Sequence, residues 1–359
     1  MKEFIIGNGE KALRLDQYLM RLMPGVGKAF LYKMLRKKNI VKNGKKAEGN
    51  ERLVPGDKIC IYFSDETYEK FRNVKKSTEP ISVKTVSVIP KNVSDIRILY
   101  EDTDILVADK PAGMLSQKAA PQDYSLNDWL LTYLKQNGGA PWSVTNTLSV
   151  PDGLFFTPSV ANRLDRNTSG MVLCGKSLAG LRYLAEILRN RSLHKYYLAI
   201  VCGKVTKEQE IEGYLYKDEA ANQVRIVMAS VNAANNGNKR SEGDYIATFY
   251  RPIRYDEVSD TTLLEVLLKT GKPHQIRAHL AAISHPIAGD PKYGNPDRNR
   301  YFNQKYHIKR QLLHCYKLVF PENPDSGMAI QGKILFSEPP DDFRQITGEN
   351  YGNLEFTRS

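Results

Sequence analysis

Residues 28–46 carry eight basic side chains and no acidic one: Lys28, Lys33, Arg36, Lys37, Lys38, Lys42, Lys45 and Lys46. Like charges this close repel one another, so the stretch must fold with its cations turned outward or laid against a polyanion. Phe30, Leu31, Met34, Leu35, Ile40 and Val41 are interleaved with them. Leu31, Met34 and Leu35 fall at i, i+3 and i+4, which predicts a helix with an apolar seam and a cationic outer face. Asn43-Gly44 reads as a tight hairpin turn. Leu53-Val54-Pro55-Gly56-Asp57 reads as a turn leading into a strand over 58–63. Together these predict a helix–helix–hairpin module of about 60 residues with one basic face. A solvated helix face is the plain alternative. The lack of any acidic partner favours phosphates instead.

The charge is concentrated there. Residues 1–80 hold 18 Lys and Arg against 10 Asp and Glu, while the whole chain is +12. At roughly 150 residues per domain, 359 residues suggest two domains. Residues 64 to about 94, rich in Lys, Glu, Ser, Thr, Asn and Pro, read as a linker with some extended structure. Several classes fall away. Cys60, Cys174, Cys202 and Cys315 show no CxxC spacing, so neither a zinc site nor a disulfide framework is indicated. The N-terminus lacks a signal-peptide core, and no uncharged apolar run is long enough to span a membrane. GxGxxG, HExxH and GxSxG are all missing. The expectation is a soluble cytoplasmic monomer needing no cofactor or metal.

From Ile96 the pattern changes. Two strands flank the acidic turn Glu101–Asp104. Helices are predicted over 125–137 and 177–190, where leucines and aromatics recur at helical spacing. Strands follow at 194–201, 245–251 and 262–269, and a short helix near Pro273. No regular βαβ rhythm appears, so an α+β domain on a mixed, largely antiparallel sheet is expected.

Two polar clusters stand out. In Asn162-Arg163-Leu164-Asp165-Arg166-Asn167-Thr168-Ser169-Gly170 a carboxylate sits between two guanidinium groups. Read alone, this is equally a turn with local ion pairs. In Thr270-Gly271-Lys272-Pro273-His274-Gln275-Ile276-Arg277, Ile276 anchors a helix start and Arg277 lies at the edge of its buried face. Read alone, Arg277 is equally a surface cation snorkelling from that edge. Gly289-Asp290-Pro291-Lys292-Tyr293-Gly294 closes the second segment.

Four pieces occurring in order resemble the RluA family of RNA pseudouridine synthases, the branch that includes RluC and RluD. Lys110-Pro111-Ala112-Gly113 resembles its KPxG segment, and Arg163 to Gly170 its RLDxxTSG motif. Lys195-Tyr196-Tyr197-Leu198-Ala199 resembles KxYxA, and Thr270 to Arg277 resembles TGRxHQIR. Ahead of them, Arg14 to Leu19, the basic helix, Val41 to Lys45 and Val54 to Ile59 resemble an S4 RNA-binding domain. The chain departs from the family at Asn162, where His is usual, and at Lys272-Pro273, where Arg-Thr is usual. Neither departure touches Asp165 or Arg277.

The resemblance implies a pseudouridine synthase catalytic domain over 95–359, a linker over 76–94 and an S4-like α/β domain over 1–75. It implies Asp165 as the catalytic aspartate, paired with Arg277, and Tyr197 packing on the base and handling the final proton. Arg163 would enter the RNA helix, and Arg166, Lys195, Lys110 and Gln275 would bind substrate. Lys28, Lys33, Arg36, Lys37, Lys38, Lys42 and Lys45 would bind RNA through the S4-like domain. It implies RNA as the partner, ribosomal RNA ahead of transfer RNA. The competing class is a non-catalytic RNA-binding or ribosome-assembly factor that keeps the fold.

The chemistry agrees with those residue types. Uridine becomes pseudouridine when the N1–C1′ bond breaks and a C5–C1′ bond forms. Atoms and electrons balance, so the rearrangement needs no redox partner, nucleotide or metal. A carboxylate can assist by attacking the sugar or by stabilising charge at C1′. In a partly dehydrated pocket a neighbouring guanidinium favours a charged carboxylate and offsets desolvation. Strand alternation puts Lys195, Tyr197 and Ala199 on one face.

Overall fold

The computed structural model describes residues 1–7, 13–23, 25–72, 96–137, 148–149, 155–218, 223–228 and 243–348. The chain divides into two compact units, residues 1–88 with 139–157 and residues 89–138 with 158–359. The linker expected over 76–94 lies outside the described residues.

In the first unit β1 (Lys2–Ile5) precedes two helices, α1 (Leu15–Leu22) and α2 (Lys28–Arg36). β2 (Ile40–Lys42), β3 (Lys45–Lys46) and β4 (Lys58–Ile61) follow, then α3 (Asp65–Arg72). The sheet order is β1-β4-β2-β3, with every pair antiparallel. Leu31, Met34 and Leu35 form the buried seam of α2, as their spacing predicts. The β2–β3 turn places Asn43 and Gly44 at φ 50° and 72°, the left-handed pair that a tight hairpin requires.

Residues 65–72 are helical rather than linker. Ser64 caps the first turn by accepting from the Thr67 N–H at 3.2 Å, and Asp65 and Glu66 complement the helix dipole. Tyr68 is buried, and Phe71 packs on Phe30 with ring centroids 5.0 Å apart. A polar composition concealed those two inward rings.

The basic side chains of this unit divide into two groups. Lys28, Lys33, Arg36, Lys37, Lys38 and Lys45 are exposed and make no ion pair among the described residues. Lys42 differs: its ammonium pairs with the buried Asp57 at 2.7 Å, which also accepts from Asn43 Nδ2 and the Val54 N–H. Lys42 therefore holds the hairpin, where the S4 resemblance implies an RNA contact.

The remaining elements, in chain order, are β5 (Ile98–Glu101), β6 (Ile105–Lys110), α4 (Leu126–Asn137), β7 (Leu148–Ser149), β8 (Phe155–Phe156), β9 (Ser159–Val160), β10 (Ser169–Gly175), α5 (Leu178–Arg189), β11 (His194–Cys202), β12 (Gln209–Asp218), β13 (Gln223–Met228), β14 (Asp244–Asp256), β15 (Thr261–Leu268), α6 (Gln275–Ala282), α7 (Pro296–Tyr306), β16 (Leu313–Val319), β17 (Ile334–Phe336) and α8 (Asp341–Thr347). β7 and β8 form a small hairpin within the first unit.

The second unit is built on an eleven-stranded sheet ordered β13-β12-β14-β15-β11-β16-β10-β6-β5, with β17 on β16 and β9 on β10. Only the β10–β16 pair is parallel, so the fold is α+β on a mixed, largely antiparallel sheet. That parallel seam is two residues long, Ser169 with His314 and Gly170 with Cys315. There the two halves of the sheet join, and residues 161–168 enter β10 directly above it.

Gly170 makes the seam possible. Its φ is 109°, and a Cβ there would lie 2.3 Å from the Cys315 carbonyl oxygen. Any larger residue would push β10 off β16. Beside it Ser169 Oγ lies 2.9 Å from His314 Nδ1, and His314 Nε2 lies 3.1 Å from the Ser337 carbonyl. A carbonyl only accepts, so Nε2 carries the proton and Nδ1 accepts from the Ser169 hydroxyl.

β14 runs on to Asp256, past the expected end at Arg251. A bulge at Pro252–Arg254 absorbs the proline that a regular ladder would reject. α5 spans Leu178–Arg189, capped by Ser177 Oγ on the Gly180 N–H. Among the described residues no helix is long and apolar enough to cross a membrane.

Candidate active site

The 161–168 loop is pinned from three directions. Ser116 Oγ donates to the Leu164 carbonyl and accepts the Leu164 N–H, at 3.1 and 3.0 Å. The Arg166 carbonyl accepts from the Gly113 N–H at 2.8 Å and from Lys110 Nζ at 3.2 Å. Arg310 Nη1 donates to the Asn167 carbonyl at 3.1 Å. Asn162, where the family usually has His, accepts the Leu173 N–H through Oδ1 at 2.7 Å. The loop closes on itself through the Thr168 N–H and the Asp165 carbonyl. Thr168 Oγ1 accepts from Gln311 Nε2 at 3.3 Å, and the loop's carboxylate, Asp165, is aimed at another distant partner.

That partner is Arg277, on the first turn of α6 and 112 residues away. Arg277 Nη1 donates to Asp165 Oδ2 at 2.7 Å. Nε and Nη2 donate as a fork to Asp290, at 2.7 and 2.9 Å. Arg277 is 5% exposed and Asp290 0%. Arg277 is therefore buried between two carboxylates and does not snorkel from a helix edge. Tyr293 stacks beneath the guanidinium at 5.2 Å. Asp290 also accepts the backbone N–H groups of Lys292 and Tyr293, at 2.8 and 3.1 Å.

Burial alone would raise the Asp290 carboxyl. The bonds and charge of Arg277, with the two backbone N–H groups, outweigh it and hold the carboxyl below its ordinary range. Burial would also lower the Arg277 guanidinium, but Asp290 and Asp165 together raise it further above its ordinary value. Asp165, with a side chain 26% exposed against 6% for Arg277 and 0% for Asp290, is the most open member of the trio at the cleft.

The cleft is about 910 Å³ and is lined by Asp165, Arg277, Tyr197, Lys195, Arg163, Arg166 and Gln275 among others. Tyr197 and Lys195 come from the same face of β11. Burial pushes the Tyr197 hydroxyl well above its usual range, with Cys315 and Asp165 adding to it, so the ring carries a neutral phenol. Burial lowers the Lys195 ammonium, and Arg191 lowers it further. Arg163 and Arg166 are exposed at the cleft, and their guanidinium groups make no ion pair among the described residues.

Two residues expected to touch substrate have their polar atoms engaged within the protein. Lys110 is 0% exposed and does not line the cleft. Its ammonium donates to the carbonyls of Pro111, Met114 and Arg166 at 2.9, 2.8 and 3.2 Å. Burial pushes it down against the pull of Asp165, to about 7, and three carbonyls match the three N–H bonds of the charged form. Lys110 positions the Asp165 loop. Gln275 is likewise spent: Oε1 accepts from Thr270 Oγ1 and the Lys272 N–H, and Nε2 donates to the Ala247 carbonyl and Thr248 Oγ1. It ties the start of α6 to β14.

Lys110→Met is expected to destabilise the fold by about 2–4 kcal/mol, because it leaves buried carbonyls without donors. Urea unfolding checks this, and an unchanged midpoint contradicts it.

Asp290, Tyr293 and His274 were not read as site residues from sequence. The available signal was Asp290 itself, an acid between the apolar run Ile287-Ala288 and a Pro-Gly turn, with a cation close by in the same segment.

The family described as RNA pseudouridylate synthase matches residues 104–282. An uncharacterised RNA pseudouridine synthase of Mycoplasma genitalium is 30% identical over 91% of this chain and 92% of its own length. Ribosomal large subunit pseudouridine synthase C of Haemophilus influenzae is 28% identical over 92% of this chain and 90% of its own. Synthase D of Neisseria meningitidis serogroup B is 27% identical over 88% and 74%. The solved structure titled human RNA pseudouridylate synthase domain containing 4 covers 70% of this chain and 91% of its own, with a TM-score of 0.52 at 19% identity, a likeness of fold. With three of its four motifs lining one cleft and relatives matching along nearly its whole length, this chain belongs to the RNA pseudouridine synthase family.

Proposed function

We propose that this enzyme converts uridines of large-subunit ribosomal RNA to pseudouridine, with Asp165 as the catalytic carboxylate. The observation that carries the reading is the 2.7 Å contact between Asp165 and a buried Arg277, made across the chain at the floor of a cleft. Asp165 attacks C1′ or stabilises positive charge there as N1–C1′ breaks. The uracil turns, C5 bonds to C1′, the C5 proton leaves and N1 gains one. Tyr197 packs on the base and, as a neutral phenol, exchanges the final proton. Arg163 and Arg166 at the mouth of the cleft, with Lys195, meet phosphates and help hold the uridine out of its stack. The ribosomal target follows the names of the C and D relatives.

The first unit acts as an S4-like RNA-binding module. Its support is the row of exposed, unpaired cations on and after α2, with Asp57 and Lys42 bracing the hairpin behind them. Such a face binds the RNA backbone without reading sequence.

A pseudouridine map of cellular RNA from cells lacking the protein tests both parts. Loss at defined large-subunit uridines, restored by the wild-type gene, is the expected result. Restoration should be weak with a gene encoding alanine at Lys33, Arg36, Lys37 and Lys38. Loss confined to transfer RNA would overturn the ribosomal target, and an unchanged map would overturn the function. Full restoration by the alanine form would remove the RNA-binding role of the first unit.

A further inference from the structure

We infer that His274 is a substrate-binding residue whose Nε2–H donates a hydrogen bond to an oxygen of the nucleotide held beside Asp165. The inference rests on the uridine-isomerising function proposed above and adds a residue to it.

His274 stands at φ 55°, in the left-handed region, immediately before α6. For a residue other than glycine this conformation is costly, and such strain collects at ligand sites. The side chain does not repay that cost by capping the helix, since it makes no cap hydrogen bond. What the conformation does is set the imidazole on the wall of the cleft.

The ring's orientation is fixed from behind. His274 Nδ1 lies 2.9 Å from the Tyr293 hydroxyl, and the rings meet edge to face. The Tyr293 oxygen already accepts the Val224 N–H from the edge strand β13, at 3.1 Å. Its own proton is therefore directed at Nδ1, which makes Nδ1 the acceptor and leaves the ring proton on Nε2. Tyr293 is also the ring beneath Arg277. One tyrosine thus sets both the Asp165–Arg277 pair and the imidazole.

Nε2 has no partner among the described residues. A fixed N–H donor on the wall of this cleft meets an acceptor only when substrate arrives, and a uridine nucleotide offers phosphate and carbonyl oxygens. Burial, with Arg277 and Lys292, disfavours a charged ring, while Asp165 and Asp290 favour it; the net direction is downward. The neutral form is thereby kept near neutral pH.

The experiment compares His274→Gln with His274→Asn. A glutamine amide nitrogen reaches the ε position and keeps the donor, whereas asparagine reaches only the δ position and loses it. Activity is tritium release from large-subunit ribosomal RNA transcribed with uridine labelled at C5, per molecule of folded protein verified by melting. His274→Asn is expected to lower kcat/KM by about 10- to 100-fold, and His274→Gln by no more than about fivefold, the difference of one donor.

A second arm uses a short RNA around a mapped uridine, with sulfur replacing a non-bridging oxygen of the adjacent phosphate. If the acceptor is that phosphate, sulfur slows wild type and not His274→Asn. If it is a base carbonyl, sulfur slows both alike. Equal activity of the two variants while wild type is active overturns the assignment alone. No release by wild type overturns the functional reading, and the assignment with it.

Discussion

Arg277→Met is expected to abolish turnover and to cost the fold about 3–5 kcal/mol, because it strands a buried carboxylate that the guanidinium now satisfies. Asp290 is fully buried and receives two of its four hydrogen bonds from Arg277. Without them it must be hydrated, protonated or exposed, and each of these disturbs the 289–294 turn. Asp165 loses in the same step the one ion pair it makes among the described residues, so its orientation toward C1′ is lost. A fall of at least about a thousandfold in kcat/KM corresponds to about 4 kcal/mol of transition-state stabilisation. Arg277→Lys separates charge from geometry. A lysine keeps the cation but, as a compact point charge, cannot reproduce a fork to Asp290 and a third bond to Asp165. It should retain more stability than methionine yet remain at least about a hundredfold slow. Urea unfolding and tritium release measure the two effects separately. A lysine variant with wild-type turnover would show that charge alone suffices and that the fork is dispensable.

The second large effect is acid sensitivity of the fold. Burial pushes His314 down to about 3 and His279 to about 4, from an ordinary 6.5. His314 has both nitrogens engaged as a neutral ring, between Ser169 and the Ser337 carbonyl. His279 faces Thr248 through Nδ1, and its Nε2 has no partner. Both rings stay neutral in the folded chain and charge freely in the unfolded one. Below pH 6.5 the unfolded state binds more protons, so stability falls as pH drops toward the folded values. Each ring then costs about 2 kcal/mol on going from pH 8 to pH 5. Asp109, whose carboxyl burial raises, works in the opposite sense. His279→Leu should remove about half of the loss between pH 8 and pH 5. A variant slope equal to wild type would contradict the assignment of that proton uptake to His279.

Local pattern was legible where one face of an element carries its own signal. The Leu31-Met34-Leu35 seam of α2 and the alternation in β11 are written at fixed spacings, and the elements form there; α5 forms as well, but the face it buries is Gly180, Tyr183, Leu184 and Ile187, with Leu178, Leu181 and Leu188 only partly covered. α3 escaped because two rings in a charged stretch are a weak moment, and their value comes from Phe30 and Phe63 across the core. β14 outran its expected end because a proline's cost depends on a bulge that no local rule displays. At the site, residue types were legible but their roles were not uniformly so. Lys110 and Lys195 look alike in sequence; one ends in a cage of carbonyls and the other on the cleft wall. The Asp165–Arg277 pair spans 112 residues, so its closeness came from motif resemblance and not from periodicity. Asp290 and His274 depend on the turn after α6 and on the edge of β13, which only tertiary packing brings together.

The sharpest measurement is single-turnover tritium release from RNA labelled at uridine C5, with wild type and Asp165→Asn compared at saturating enzyme. The asparagine keeps an oxygen for Arg277 and removes the nucleophilic charge, so folding and RNA binding should be retained. Release by the variant should be slower by at least about ten-thousandfold, a loss of the kind seen when a nucleophile is removed. Release by a folded Asp165→Asn within a tenth of the wild-type rate would show that the carboxylate is not what rearranges the nucleoside.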